Sequence, residues 1–268
     1  MVRHNAFLIV CLAWIANSKI ARAQAGDKAV VQGQPDSSTC SYNFTSGANN
    51  TFLSYCVSVD GNILQVETPL NHPQIFFAEG YGLCNESPIV AYYDYANSGN
   101  SASWASSSLL SQTATRVKIA RTTADGIWTL TQTITLDKAS PGIKIAMALK
   151  NNTAAARVAY LVRYGDVDAD DVHDNFSATT DGAFGWTSSF PFGANNGSGL
   201  ELRNVGQLQF GYLQGFARST HLPPNPCNFA GESSGSVLTD LDGSVALVYA
   251  DSVGAGKTKT ATMIYRGM

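Results

Sequence analysis

Residues 127–136, IWTLTQTITL, decide the fold class of this 268-residue chain. Threonine alternates there with Trp128 and with three aliphatic residues, a period of two that is typical of a strand with one buried face. Similar runs follow one another along the chain, and turn signals such as Asp125-Gly126 separate them. The sequence therefore predicts a four-strand antiparallel meander over 117–121, 127–136, 143–149 and 158–164.

The remainder of the chain supports the same class. Further strands are predicted at 62–67, 88–95, 207–213, 244–250 and 257–265, with loops rich in Gly, Ser and Asn at 97–108, 187–199 and 215–236. No stretch has the pattern of an amphipathic helix, and no internal repeat is visible. We expect an all-β fold, one large antiparallel β-sandwich over residues 60–268, preceded by an irregular extension over 26–59.

The N-terminus has the pattern of a cleaved signal peptide over residues 1–25. Eleven apolar residues, 6–16, precede the small-residue triplets Ala21-Arg22-Ala23 and Ala23-Gln24-Ala25. Eleven residues are too few to cross a bilayer, so we expect a secreted chain with no transmembrane anchor after cleavage.

Charge and cysteine content agree with export. Removing residues 1–23 takes away three cations and no acid, which changes the net charge from −3 to −6. No basic stripe remains, so nucleic acid is not an expected partner. Four cysteines remain, and we favour the pairs Cys40–Cys56 and Cys84–Cys227 among three pairings.

One stretch of the chain resembles a known family. The run ITLDKASPGIKIAMALKNNTAAARVAYLVRY, residues 134–164, is similar to the central strands of galactose-mutarotase-like β-supersandwich domains. In the epimerases of that group, the strand after the Asn-Thr turn leads to a catalytic histidine. Here the corresponding residues 163–168 contain none, which argues against sugar epimerisation. The strand end YGDVDAD, 164–170, also resembles secreted bacterial proteins of uncharacterised activity.

Acidic residues are concentrated where the fourth strand ends. Asp166, Asp168 and Asp170 point the same way in an extended chain, and three neighbouring carboxylates repel unless a cation neutralises them. Calcium prefers such oxygen ligands, although the EF-hand pattern is not met. The alternatives are a solvated acidic strand end without a cofactor, or a catalytic pair.

In the catalytic interpretation, Asp166 and Asp168 flank a glycosidic bond, with His173 as an acid or base. Arg163 faces the other way and is interpreted as an outer ion pair or a snorkelling side chain. His72 and His221 stand just before prolines and are interpreted as loop residues.

Aromatic residues supply a second candidate site. Sugar rings stack on exposed aromatic faces, and four residues in or near the Ser- and Gly-rich segments are candidate ligand contacts: Tyr93, Tyr95, Trp104 and Trp186. The alternative is that these rings fill the core.

Together these features favour a secreted, non-catalytic β-sandwich module that binds a glycan or polysaccharide or belongs to a surface matrix. The alternatives are a glycan hydrolase or lyase that uses Asp166 and Asp168, or a calcium-stabilised structural domain.

Overall fold

A computed structural model describes residues 39–75, 78–138, 141–169, 173–187, 199–233 and 235–268. These segments form strands, turns and a short 3-10 helix at Asn49–Thr51, and they contain no α-helix. The expected all-β class is confirmed. Within the described ranges no helix is long and apolar enough to span a membrane. The predicted signal peptide lies outside them.

The strands of the described segments are, in chain order, β1 (Tyr42–Ser46), β2 (Leu53–Val57), β3 (Ile63–Glu67), β4 (Gln74–Ile75), β5 (Glu79–Asn85), β6 (Val90–Tyr95), β7 (Gly99–Asn100), β8 (Ser108–Thr113), β9 (Arg116–Thr122), β10 (Trp128–Asp137), β11 (Gly142–Asn151), β12 (Arg157–Asp166), β13 (Asp168–Ala169), β14 (Asp174–Ala178), β15 (Gly182–Thr187), β16 (Gly199–Asn204), β17 (Tyr212–Arg218), β18 (Val237–Leu241), β19 (Ser244–Val253) and β20 (Thr258–Gly267).

Two large antiparallel sheets form the sandwich. The nine-stranded sheet has the order β18-β14-β15-β16-β20-β11-β10-β9-β8, and the six-stranded sheet has the order β17-β19-β12-β5-β6-β7. Leu130 and Ile145 of the larger sheet share one buried cluster with Leu161 and Leu247 of the smaller sheet. The period of two predicted for β10 is observed, because every second residue from Trp128 to Leu136 is buried. Strand β17 begins five residues later than predicted and extends into a predicted loop.

The meander ends one strand earlier than predicted. Strands β9, β10 and β11 pair in sequence, but β20 occupies the free edge of β11. Strand β12 instead crosses to the other sheet and pairs with β19 and β5. Asn151 anchors the crossover, since its side-chain amide donates to the carbonyl oxygens of Ala155 at 2.7 Å and Val253 at 2.9 Å.

The segment expected to be an irregular extension is structured from residue 42 onward. Strands β1 and β2 lie within 26–59 and pair with β3 in a three-stranded sheet. Phe44 and Leu53 bury their side chains in the main core, so this small sheet packs against the sandwich. Alternation in five-residue strands was too short a signal to predict them.

A buried ion pair joins the three sheets. Arg163 of β12 contacts Glu79 of β5, and both side chains are fully buried. Arg163 also donates to the side chain of Gln132 in β10 at 2.7 Å. Glu79 accepts hydrogen bonds from the Ile63 backbone N–H at 2.6 Å and the Tyr265 hydroxyl at 3.2 Å. The interpretation of Arg163 as an outer ion pair was wrong, because the face opposite Asp166 is the core.

Loss of one partner of this pair should destabilise the fold strongly. Burial raises the pKa of Glu79 to about 7, an effect that Arg163 and the Ile63 N–H oppose. At a pH above that value, Glu79→Gln leaves a buried guanidinium without its counter-charge and should lower the free energy of unfolding by about 3–5 kcal/mol. Urea denaturation measures this loss. The double variant Glu79→Gln/Arg163→Met should lose less than the sum of the single variants, and simple additivity would contradict the account.

Both favoured disulfides form. Cys40–Cys56 spans 16 residues and Cys84–Cys227 spans 143. In the chain-entropy model, the long loop constrains the unfolded chain by about 5 kcal/mol and the short loop by about 3 kcal/mol.

Removal of each disulfide tests this difference. The double variant Cys84→Ala/Cys227→Ala should be less stable in urea than Cys40→Ala/Cys56→Ala, which serves as the matched control. The reverse order would contradict the loop-length argument.

Candidate functional site

Three carboxylates meet at one end of the six-stranded sheet. Asp166 ends β12, Asp168 begins β13, and Asp242 lies in the turn between β18 and β19. One oxygen from each lies within 4.8 Å of the others. The pairing of Asp166 with Ser244 at the start of β19 brings these elements together. We name these three residues the acidic cluster.

Asp166 is the innermost member of the acidic cluster. Its residue is 1% exposed, and its Oδ1 atom has no hydrogen-bond partner among the described residues. Burial, followed by the negative charges of Asp168, Asp242 and Asp174, raises the pKa of this carboxyl to about 9. A carboxyl group in this environment holds a proton at neutral pH unless a cation compensates its charge.

A loop on the outer face of the six-stranded sheet brings a histidine to the cluster. His221 Nδ1 lies 2.7 Å from the Asp242 carboxylate, and its backbone carbonyl accepts a hydrogen bond from the Tyr164 hydroxyl. The same loop is held by the Tyr95 hydroxyl, which donates to the Pro224 carbonyl at 3.0 Å, and by Cys227. The interpretation of His221 as an ordinary loop residue therefore missed its position.

The sequence predicted part of this arrangement. Asp166 and Asp168 do lie together, as the strand alternation indicated, whereas Asp170 lies outside the described residues. His173 is exposed just before β14. Asp242 and His221 were missed because both are more than 50 residues from Asp166 along the chain. The sequence offered one signal for Asp242, which is the turn dipeptide Asp242-Gly243 directly before a predicted strand.

The aromatic platform predicted from the sequence was wrong for three of its four rings. Trp104 and Trp186 are each 6% exposed and Tyr95 is 2% exposed. Trp104 packs edge-on against Tyr81 at 5.6 Å, and Trp186 lies within β15 rather than in a loop. Tyr93 is half-buried and stacks on Tyr95.

A second buried ion pair lies beside Trp104. The Arg121 guanidinium lies 5.7 Å from the Trp104 ring and contacts Asp94. Asp94 is therefore a structural acid.

The tryptophans should accordingly contribute to stability. Trp104→Ala and Trp186→Ala should each lower the free energy of unfolding by about 3–5 kcal/mol, because each leaves a large cavity. Leu110→Ala is the control, since Leu110 is 52% exposed and its loss should cost less than about 0.5 kcal/mol. Denaturant titration of the three variants measures this, and unchanged stability of both tryptophan variants would restore the platform interpretation.

An open cleft of about 640 Å³ lies between the 3-10 helix, the turn after β3 and the end of β20. This volume falls in the range of ligand pockets. The Leu70 N–H donates to the Asn49 carbonyl at 3.1 Å, which fixes the turn against the 3-10 helix. The lining of the cleft is rich in side-chain amides and also contains an imidazole, a guanidinium and apolar surfaces. The lining residues are Asn49, Asn50, Thr68, Pro69, Leu70, Asn71, His72, Pro141, Arg266, Gly267 and Met268. We name this feature the amide cleft.

Several polar groups of the amide cleft are held by their neighbours. Asn71 has a left-handed backbone, φ +68°, and its N–H donates to the Glu67 carboxylate at 2.8 Å. Arg266 pairs with Glu201 at 3.3 Å, and its Nε has no hydrogen-bond partner among the described residues. The sequence did not predict this cleft, because its walls come from segments about 200 residues apart.

No protein-family model matches the chain, and no curated protein matches it. Among solved structures, a bacterial glucoamylase complexed with acarbose is similar, with a TM-score of 0.56 and 7% sequence identity. The match covers 90% of this chain and 34% of the glucoamylase, so this chain spans about a third of that protein. At this identity the likeness shows the fold alone, a large antiparallel β-sandwich.

Two further solved structures match the chain. A galactose mutarotase related enzyme from Lactobacillus acidophilus has a TM-score of 0.40 and 7% identity, over 85% of this chain and 97% of that one. A candidate aldose 1-epimerase from Escherichia coli K12 has a TM-score of 0.40 and 12% identity, over 84% and 98%.

Proposed function

We propose that the protein is an exported, non-catalytic module that binds a glycan in the amide cleft. The observation that carries the proposal is the composition of this cleft, in which side-chain amides, His72 and Arg266 stand beside apolar surfaces. Amides offer both donors and acceptors, which suits a ligand with many hydroxyl groups. Pro69, Leu70 and Pro141 offer apolar contacts for the C–H faces of a sugar.

Burial of Trp104 and Trp186 favours this mode of binding over ring stacking. A glycan would be held mainly by hydrogen bonds, and the guanidinium of Arg266, whose side chain is 36% exposed, can supply donors. About a third of the bacterial glucoamylase complexed with acarbose has a similar fold. That likeness supports a glycan ligand only as an analogy, since one fold hosts many functions.

A non-catalytic role is supported by the lining of the cleft. None of its described lining residues is Asp or Glu. Most glycoside hydrolases use a pair of carboxylates beside the scissile bond. The two disulfides are compatible with an exported protein.

The substitution Asn71→Gly tests the binding site. Glycine keeps the left-handed backbone and removes only the amide, so the fold should be retained. Loss of one or two hydrogen bonds should weaken retention on the polysaccharide that binds the wild type by about tenfold. Asn97→Gly is the matched control, because Asn97 has φ +62° and lies in the turn after β6, outside the cleft. Affinity electrophoresis of both variants measures the difference.

Charge removal provides a second, independent variant. Arg266→Gln should reduce retention, whereas Lys150→Gln, which removes an exposed cation at the far end of β11, should not. Unchanged retention in both cleft variants, or equal losses in the controls, would overturn the proposed site. Release of soluble sugar from the retained polysaccharide would overturn the non-catalytic role.

A glycan hydrolase or lyase is the second candidate function, and the close approach of Asp166 and Asp168 favours it. Retaining glycosidases hold their two carboxyl groups about 5 Å apart. In that case the supernatant would contain released sugar, and Asp166→Asn would abolish the release while the protein stays folded.

A further inference from the structure

Three carboxylates converge in the acidic cluster, and His221 contacts one of them, Asp242. Asp166, Asp168 and Asp242 come from three different elements, so the fold itself brings like charges together. Like charges at this distance destabilise a fold unless they are protonated, paired or bound to a cation. The cluster is therefore a candidate site for a bound cation.

The buried member of the cluster has an oxygen that no group of the described residues satisfies. Asp166 is 1% exposed and offers one ligand oxygen to the cluster. Its Oδ1 atom has no hydrogen-bond partner in the described part of the chain. Buried carboxylate oxygens are almost always hydrogen-bonded or coordinated to a metal. The fourth nearby acid, Asp174, accepts from the Ala169 N–H at 2.6 Å.

Two basic side chains in this region, Arg218 and His221, have partners other than Asp166. Arg218 lies beneath the same loop, but its guanidinium donates to the Ala230 carbonyl at 3.0 Å and lies over the rings of Tyr164 and Phe229. His221 pairs with Asp242 at the exposed side of the cluster, where the Asp242 side chain is 42% exposed. Neither group satisfies Asp166 Oδ1.

We propose that Asp166, Asp168 and Asp242 form a calcium site that fastens the ends of β12 and β13 to the turn before β19. All three ligands are hard oxygens, which calcium prefers. Calcium accepts six to eight oxygens in a flexible geometry, whereas magnesium demands a near-ideal octahedron. The three carboxylates each place an oxygen within 4.8 Å of the others, close enough to share one ion.

This site corrects the ligand set expected from the sequence. Asp242 takes the third place, and Asp170 lies outside the described residues. The half-exposed Asp242 leaves the solvent side open for the water molecules that complete a calcium shell of six to eight oxygens. The role is structural, and it is independent of glycan binding in the amide cleft.

Thermal unfolding of the full chain tests the proposal. Calcium at about one hundred times its dissociation constant should raise the melting temperature by about 5–10 °C over the chelated protein. Asp242→Asn should lose most of this shift and should keep a chelated melting temperature close to that of the wild type. Asp168→Asn is the second variant and should also lose most of the calcium-induced shift.

Asp240→Asn is the matched control. Asp240 is exposed two residues before Asp242 and has φ +55°, which asparagine tolerates, so its variant should keep the full calcium response. A wild-type melting temperature that calcium does not change would overturn the proposal, as would equal losses in Asp240→Asn and Asp242→Asn. An equal shift with magnesium would contradict the choice of calcium.

Discussion

The contact between Arg163 and Glu79 is the constraint on which the rest of the structure depends. It lies where the six-stranded sheet, the nine-stranded sheet and the small N-terminal sheet meet, and it binds a residue of each. A buried guanidinium and carboxylate are costly to desolvate, so they are tolerated only when nearly every polar atom finds a partner. Gln132, Ile63 and Tyr265 supply those partners, which fixes how the three sheets pack.

Strand alternation then decides what lies on the other side of β12. Because Arg163 points into the core, Tyr164 and Asp166 point to the outer face. Glu79 begins β5 beside Gly165, and the Asp166 N–H donates to the Ala78 carbonyl at 2.9 Å. The ion pair that orders the core therefore also fixes the backbone that presents the acidic cluster. The two candidate sites have different origins, since the amide cleft is built from the N-terminal sheet and the last strand.

The sequence predicted what local patterns determine. Alternation in residues 127–136 predicted β10 and its buried face, the even cysteine count supported both disulfides, and spacing placed Asp166 beside Asp168. The sequence did not predict the features that depend on long-range packing. The crossing of β12 depends on β20 occupying the edge of β11, and Asp242 and His221 reach Asp166 only through β19 and the outer loop.

The tryptophans illustrate a different kind of failure. Ser- and Gly-rich neighbours suggested exposed loops around Trp104 and Trp186, yet small neighbours also allow a large ring to be covered closely. Gly185 and Gly199 flank Trp186 in this way, and a Cβ atom added at Gly199 would lie 2.8 Å from that of Trp186. Arg163 was misjudged for a related reason, because its partner Glu79 is 84 residues away and no local pattern links the two.

Hydrogen-exchange mass spectrometry with and without a retained polysaccharide tests the central claim, that a glycan is bound in the amide cleft. The account predicts slower exchange in the turn after β3 and at the end of β20, with no change around Tyr93 and Tyr95. Protection confined to the strand ends at Asp166 and Asp242, or to the outer face near Tyr93, would contradict it.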